Sequence, residues 1–223
     1  MKKAEVDLRE FRLSRINEPR FAHLKYFLGW VGYFIMYALT ENLIPAERCH
    51  VVHCPLDDLI PFMEIFAIPY IFWYFLVAFT LVYLAIYSPD GFRRFMIFII
   101  VTQVAAMAVY VIYPTRQDMR PEVFPRENWM SAIMGFIYAI DTPTGVCPSL
   151  HVAYSLGMIS AWTKEKDVKL IWKSLIVAAC LIICLSTMFV KQHSAIDVFA
   201  AVPLCLLAEA LAYGKWWRRK LKQ

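Results

Sequence analysis

His193 and Asp197 are the residues of this sequence best suited to do chemistry together, and they lie in the polar segment 191–197, KQHSAID. If the apolar run that follows is a helix, their spacing of four residues places both side chains on one face. The carboxylate could then fix the imidazole tautomer and leave the other ring nitrogen free to attack an electrophile. Lys191 would suit an anionic substrate. The alternative needs no chemistry, because Ser194 and Asp197 could simply form a capping box that begins the helix.

A second histidine opens another apolar run, in the segment 147–151, CPSLH. Pro148 is favoured in the first turn of a helix. The backbone N–H groups that are free at a helix start, together with the helix dipole, attract an anion, and the Ser149 hydroxyl would add a donor. His151 faces the same end of that helix. The alternative is an ordinary Ser/Pro helix start with a histidine at the interface.

The composition predicts an all-α integral membrane protein. Of the 223 residues, 60% are hydrophobic, 16% are aromatic and only 18% are charged. This is too apolar for a soluble domain of this size.

Six transmembrane helices are predicted from apolar runs of about 20 residues, of which the fourth is shorter. They lie at 26–45, 65–87, 95–113, 149–163, 170–190 and 195–214. A further run of about 12 residues, Trp129–Ile140, is too short to span and is predicted to be an interfacial or re-entrant helix. No repeat or linker divides the chain, so residues 1–223 are predicted to form a single membrane domain, with basic segments at 1–25 and 215–223.

Basic residues predict the orientation, because Lys and Arg concentrate in cytoplasmic loops. Most of the 23 lysines and arginines lie before the first span, after the last span, in the second loop with Arg93 and Arg94, or around the fourth loop. Both termini are therefore predicted to be cytoplasmic. Spans four and six then run inward, so His151 and His193 at their starts share the outer surface. The basic residues left on that surface are Arg48, Arg116, Arg120, Arg126 and Lys191.

Both histidine segments resemble motifs of the type-2 phosphatidic acid phosphatase superfamily, whose signatures are KxxxxxxRP, PSGH and SRxxxxxHxxxD. PSLH at 148–151 resembles the second signature. Ser186, His193 and Asp197 have the spacing of the third. Arg120, followed by proline, matches the end of the first signature. The six-span layout with an external site also matches, so the resemblance covers most of the chain.

Three departures from these signatures refine the resemblance. Leu150 replaces a glycine and Thr187 replaces an arginine; together with Lys191 these changes resemble the branch that contains inositol phosphorylceramide synthases. Tyr113 stands at the lysine position of the first signature, and Arg116 could substitute for that lysine. Lys191, one helical turn from Thr187, could supply the charge of the missing arginine. The alternative is an inactive site.

The resemblance implies a phosphoryl-transfer site that needs no metal or other cofactor. His193 would attack phosphorus to form a phosphohistidine, Asp197 would orient it, and His151 would protonate the leaving oxygen. The residues that would bind the phosphate are Arg116, Arg120, Ser149, Thr187 and Lys191. Phosphoryl transfer depends mainly on positioning and charge stabilisation, so fixed cations could stand in for a metal.

These expectations point to a lipid phosphate phosphatase in the plasma membrane that hydrolyses a phosphoester or pyrophosphate of a membrane lipid. An alternative is a phosphotransferase that moves a phosphorylated head group to a lipid alcohol, as the branch resemblance suggests. A lipid transporter whose polar cluster binds head groups is a further alternative. The expected partners are a phospholipid or polyprenyl phosphate substrate and the lipid bilayer, and no nucleic acid.

Several other polar residues are less specific. Cys49 and Cys54 could form a disulfide or remain two free thiols, and their crowding with two histidines argues against zinc. Asp57 and Asp58 are predicted to lie in a solvated loop. Asp141 could brace the loop before His151 or simply cap a turn.

Overall fold

The computed structural model describes residues 4–214, and within that range the chain is mostly helical. The basic segment predicted at 215–223 lies outside these residues. The α-helices are α1 (Leu28–Leu43), α2 (Pro55–Leu59), α3 (Ala67–Tyr87), α4 (Pro89–Ile112), α5 (Trp129–Ile140), α6 (Leu150–Lys164), α7 (Leu170–Phe189) and α8 (Ala195–Tyr213). Short 3-10 helices occupy Leu8–Glu10, Leu13–Arg15, Ala22–Phe27, Ala46–Arg48 and Glu64–Phe66. Two short strands, β1 (His50–Val51) and β2 (Thr115–Arg116), pair in parallel.

Four of the described helical segments are long and apolar enough to cross a membrane: Glu64–Tyr87, α4, α7 and α8. α1 and α6, at 16 and 15 residues, are shorter, although the 3-10 helix Ala22–Phe27 leads directly into α1. Large apolar side chains also face outward, and Phe75 and Leu206 are each 66% exposed. Such exposure is unfavourable in water and favourable in lipid. The prediction of a helical membrane protein is thereby supported.

Each predicted span coincides with a helix, but the third was misplaced at its start. The helix begins at Pro89, whereas the predicted span covers 95–113. The prediction that Arg93 and Arg94 lie in a loop is therefore wrong, because both lie in the first turns of α4. Hydropathy marks where apolar residues begin, while the helix begins at a proline whose fixed φ suits the first turn. Arg93 pairs there with Asp90 at 2.7 Å.

α4 and α6 form the centre of the bundle. α4 packs against α1, α3, α6 and α8, and α6 packs against α3, α4, α7 and α8. Phe95, Met96, Phe98 and Ile99 of α4 are almost completely buried. Because lipid is as apolar as these side chains, close packing rather than escape from water holds such helices together.

Gly157 allows α6 to approach α4 closely. A Cβ atom at this position would lie 2.8 Å from two ring atoms of Phe98, and that ring is itself buried. We therefore expect Gly157→Ala to lower the free energy of unfolding by about 1–3 kcal/mol through overpacking. The measurement is the thermal unfolding midpoint of the purified protein in detergent.

Gly32→Ala is the matched control, because a Cβ atom there has nothing within 4 Å. Gly32 also lies in a helix, α1, so the control should leave the midpoint unchanged or raise it slightly. Equal midpoints for the two variants would contradict the inferred close approach.

Three loops at one end of the bundle are joined by backbone hydrogen bonds. β1 and β2 lie in two of them, and Arg116 of β2 also forms an antiparallel bridge to Thr144 in the third. The Gly145 N–H donates to the carbonyl of Thr115 at 2.7 Å. Gly145 has a φ of +61°, which residues with a side chain rarely adopt. These bonds fix the loop that leads into α6.

Candidate functional site

The starts of α6 and α8 lie side by side. Ser149 is the N-cap of α6, and its backbone N–H donates to the carbonyl of Asp197 in α8 at 3.1 Å. The Ser149 hydroxyl accepts from the N–H of Val152 at 3.4 Å. As a result, the ring centroids of His151 and His193 lie 5.6 Å apart. The two segments singled out in the sequence are thus brought together at one end of the bundle.

His193 and Asp197 form the pair that their spacing predicts. His193 Nδ1 lies 3.2 Å from Asp197 Oδ2, which also accepts from the Ser194 N–H at 3.0 Å. The Ser194 hydroxyl accepts from the Ile196 N–H at 3.2 Å. The capping box and the histidine–carboxylate pair therefore coexist, because Asp197 serves both. With Nδ1 directed at the carboxylate, Nε2 is the ring nitrogen left for a ligand.

The prediction that Asp57 lies in a solvated loop is wrong, because this residue is only 3% exposed. Its carboxylate accepts from the Ser194 hydroxyl at 2.5 Å, from the Ala195 N–H at 2.8 Å and from the Cys54 N–H at 2.8 Å. Burial would raise the pKa of Asp57, but these hydrogen bonds outweigh it and leave the pKa below its ordinary value. Asp58, in contrast, is exposed. Asp57 therefore clamps the segment that carries His193.

Lys191 and Thr187 shape the same segment rather than line a ligand site. Lys191 has a φ of +52°, and its ammonium donates to the carbonyl of Asp57 at 2.8 Å and to that of Ile60. Burial lowers the pKa of Lys191. The Thr187 hydroxyl donates to the carbonyl of Cys184 within α7. Neither side chain lines the cavity beside the imidazoles, and the replacement of the missing arginine by Lys191 stays a prediction.

Arg120 joins two loops of the site. Its Nη1 donates to the carbonyls of Tyr138 and Asp141 at 3.1 and 2.8 Å. Its Nη2 donates to the carbonyl of Thr142 at 3.3 Å and to Oε1 of Gln192 at 2.6 Å. The guanidinium also lies over the Tyr138 ring, 4.7 Å from its centroid. Arg120 thus ties the end of α5 to the residue before His193.

Arg116, the other predicted phosphate ligand in this region, pairs with Asp118 at 3.1 Å. Its backbone belongs to the two-stranded sheet and also bridges to Thr144 in a third loop. Neither Arg116 nor Arg120 lines the cavity that opens beside the two imidazoles.

Arg120→Lys should loosen the site, because one ammonium cannot reach the four acceptors that the guanidinium fork reaches. We expect the free energy of unfolding to fall by about 1–3 kcal/mol, since partly buried carbonyls at the loop junction lose their donor. The thermal unfolding midpoint measures this loss. Arg126→Lys is the control, because the Arg126 side chain is 78% exposed and pairs with Glu64 at 3.3 Å. An equal effect of both substitutions would contradict the junction role.

A cavity of 510 Å³ opens beside the two imidazoles, which is a size typical of small-ligand sites. His151, His193, Gln192 and Asp141 line its polar end. Aromatic side chains of α1 and α3 form much of the wall: Trp30, Tyr33, Tyr37, Trp73 and Tyr74. Among the described residues, no Lys or Arg lines the cavity. The cations predicted to bind the substrate are therefore held elsewhere.

Sequence reasoning missed this aromatic wall, although a signal was present. Trp30, Tyr33, Phe34 and Tyr37 recur at three- and four-residue intervals in α1, so they share one helical face. α1 buries none of its residues completely. An aromatic face on such a helix indicates a partly open surface instead of a packed core.

Asp141 is both the C-cap residue of α5 and part of the cavity lining. The carboxylate accepts from Nε2 of Gln192 at 3.3 Å. Burial raises the pKa of Asp141, although the charge of Arg120 opposes the shift. The sequence left two roles open for Asp141, capping a turn and bracing the loop before His151, and the structure has elements of both.

The structure also shows the state of the cysteines and the placement of possible metal ligands. Cys49 and Cys54 are free thiols. Burial and the neighbouring Asp197 carboxylate raise the pKa of Cys147 to about 12, so this thiol stays protonated near neutral pH. Within residues 4–214, no three His, Cys, Asp or Glu side chains group to hold a metal ion.

Comparison with protein-family models, with curated proteins and with solved structures finds no match for this chain. The functional argument therefore rests on the residues and the geometry of the site.

Proposed function

We propose that this chain is a lipid phosphate phosphatase, an integral-membrane enzyme that hydrolyses a phosphoester or pyrophosphate of a membrane lipid through a phosphohistidine. The observation that carries the proposal is one arrangement: His193 paired with Asp197 at 3.2 Å, and His151 with its ring 5.6 Å away, both lining one cavity. The motif resemblance to the type-2 phosphatidic acid phosphatase superfamily points to the same chemistry.

The chemical step follows from the roles available to these side chains. His193 Nε2 attacks phosphorus, and the bond from phosphorus to the leaving oxygen breaks as the N–P bond forms. Asp197 stabilises the imidazolium through Nδ1. His151 donates a proton to the leaving oxygen. Water then attacks phosphorus while His151 takes its proton, and cleavage of the N–P bond releases phosphate, or the phosphorylated head group of a diester, and restores the site.

Two features of His151 support this assignment. Its Nε2 is buried and has no hydrogen-bond partner among the described residues, which is unusual for a polar atom that serves only structure. His151 also lies in the first turn of α6, where free backbone N–H groups and the helix dipole favour an anion. Leu150 of the same turn lines the cavity. This helix start would contribute to binding the phosphate oxygens.

The proposed topology has six membrane spans, namely α1, α3, α4, α6, α7 and α8, with α5 at the interface. Both termini would be cytoplasmic under the positive-inside rule. The adjacent starts of α6 and α8 are consistent with a shared outer surface, and the active site would then face the outside of the plasma membrane.

A second candidate is transfer of a phosphorylated head group to a lipid alcohol. The observation that favours it is the apolar extent of the cavity, which continues from the imidazoles to Phe27 and Leu81. Such a wall could hold an alkyl chain whose hydroxyl replaces water. The site residues would have the same roles in either reaction.

One assay tests the proposal and separates the two candidates. The purified protein is incubated with labelled phospholipids and lipid phosphates, with and without a lipid alcohol, in the presence of a chelator. Release of water-soluble phosphate or phosphorylated head group supports hydrolysis, and a new labelled lipid supports transfer. Absence of turnover for every substrate, or a strict requirement for magnesium, would overturn the proposed mechanism.

A further inference from the structure

The charge of the cavity does not suit a phosphomonoester alone. A dianionic phosphate is usually bound by Arg or Lys, yet no such side chain of the described range lines this cavity. Instead, Asp141 contributes a carboxyl group to the same lining. A carboxylate facing an anion site would weaken anion binding unless the ligand also carries a positive charge.

Arg120 is near Asp141 but does not neutralise it by direct contact. Both Nη atoms of Arg120 donate to backbone carbonyls and to Gln192. The Asp141 carboxylate accepts a long hydrogen bond from Gln192 at 3.3 Å and a further one from the Tyr37 hydroxyl, and both of these donors are neutral. Because neither donor carries a charge, the negative charge of the carboxylate is available to a cationic group in the cavity.

Three tyrosines of the cavity wall lie near this carboxyl group. Tyr33, Tyr37 and Tyr74 are its electrostatic neighbours, and all three line the cavity together with Trp73. Aromatic faces attract ammonium groups, most strongly where water is excluded, and cages of Trp and Tyr are a common way to bind quaternary ammonium ligands.

We propose that the cavity binds a zwitterionic phospholipid, with its phosphodiester at His151 and His193 and its ammonium group between Asp141 and the tyrosines. The position of the phosphate rests on the proposed function. A phosphodiester carries one negative charge. This single charge suits a site in which two imidazoles and a helix start, but no Lys or Arg of the described range, would bind the phosphate. We infer a lipid rather than a free head group, because the apolar residues Phe27, Val77 and Leu81 extend the cavity beyond the size of a head group.

The test is a binding titration that does not depend on turnover. His193→Ala and wild-type protein in maltoside micelles are titrated with two short-chain lipids that have identical acyl chains, one with a phosphocholine and one with a phosphoglycerol head group. The fluorescence of Trp30 and Trp73, both in the cavity wall, reports binding. We expect the phosphocholine lipid to bind about tenfold more tightly than the phosphoglycerol lipid in both proteins.

Asp141→Asn should reduce affinity for the phosphocholine lipid about tenfold and leave affinity for the phosphoglycerol lipid unchanged or higher. Asp118→Asn, which removes the carboxylate paired with Arg116, is the matched control and should change neither affinity. Free phosphocholine should bind more weakly than the lipid.

Three results would overturn the inference: equal binding of the two lipids, an Asp141→Asn variant with wild-type selectivity, or free phosphocholine that binds as tightly as the lipid. The second result would mean that the Asp141 carboxylate does not contact the head group of the lipid. If lipids are hydrolysed without head-group preference, the inference fails and the proposed function stands. If the preference is found but wild-type protein turns over no lipid, the proposed function fails instead.

Discussion

His193→Ala is expected to lower the turnover of a lipid phosphate by at least about 10⁴-fold. The reason is that the variant lacks the atom that forms the covalent bond to phosphorus, so the remaining groups can only orient substrate and water. Asp197 would keep its hydrogen bond from the Ser194 N–H, so the start of α8 should stay folded. The measurement is the rate of phosphate release by purified protein, with the unfolding midpoint as a check on folding.

His53→Ala is the control for this variant, because His53 is an exposed histidine outside the cavity that pairs with Asp58 at 2.8 Å. It should retain full turnover. Wild-type protein stopped by alkali during turnover should carry acid-labile labelled phosphate, and His193→Ala should carry none. If His193→Ala keeps more than a tenth of the wild-type rate, His193 is not the nucleophile. A transporter would keep much of its activity in this variant, so the same experiment separates that class.

The meeting of the two histidines could be predicted from sequence because it depends on the order of the helices. Two helices, α6 and α7, separate the start of α6 from the start of α8, so antiparallel neighbours place both starts at one end of the bundle. The i,i+4 spacing of His193 and Asp197 is a property of a single helix and is equally local. Helix positions could also be predicted from hydropathy, because each apolar run is a local feature of the sequence. The start of α4 is the exception.

The roles of the charged residues could not be predicted, because their partners are distant in sequence. Lys191 donates to the carbonyls of Asp57 and Ile60, more than 130 positions away, and Arg120 reaches Gln192 across 72 positions. Inside a protein an unpaired charge is costly, so a cation satisfies the nearest free carbonyls. A motif shows which residue types are present but does not show which acceptors the fold brings to them.

Asp57→Ala is expected to lower the free energy of unfolding by about 3 kcal/mol or more, because removal of one carboxylate leaves three donors without an acceptor and each costs about 1–3 kcal/mol. These donors are the Ser194 hydroxyl and the N–H groups of Ala195 and Cys54. Because the clamp holds the residues beside His193, turnover should also fall by about 10- to 100-fold. Asp58→Ala, at the exposed neighbouring position, should affect neither quantity.

The stability difference between wild-type and Asp57→Ala protein should depend on pH. A simple loss of packing would not produce this dependence. The pKa of Asp57 lies below its ordinary value in the folded protein, so the unfolded chain binds the proton more tightly and the carboxylate stabilises the folded state wherever it is ionised. That contribution is complete above the unfolded pKa, about 4, and is lost as the pH falls through the folded pKa. The gap in unfolding midpoint between wild-type and Asp57→Ala protein should therefore be full at pH 7 and narrow below about pH 4. A gap that stays constant across this range would mean that the ionised carboxylate does not hold the start of α8, and the position of His193 would need another explanation.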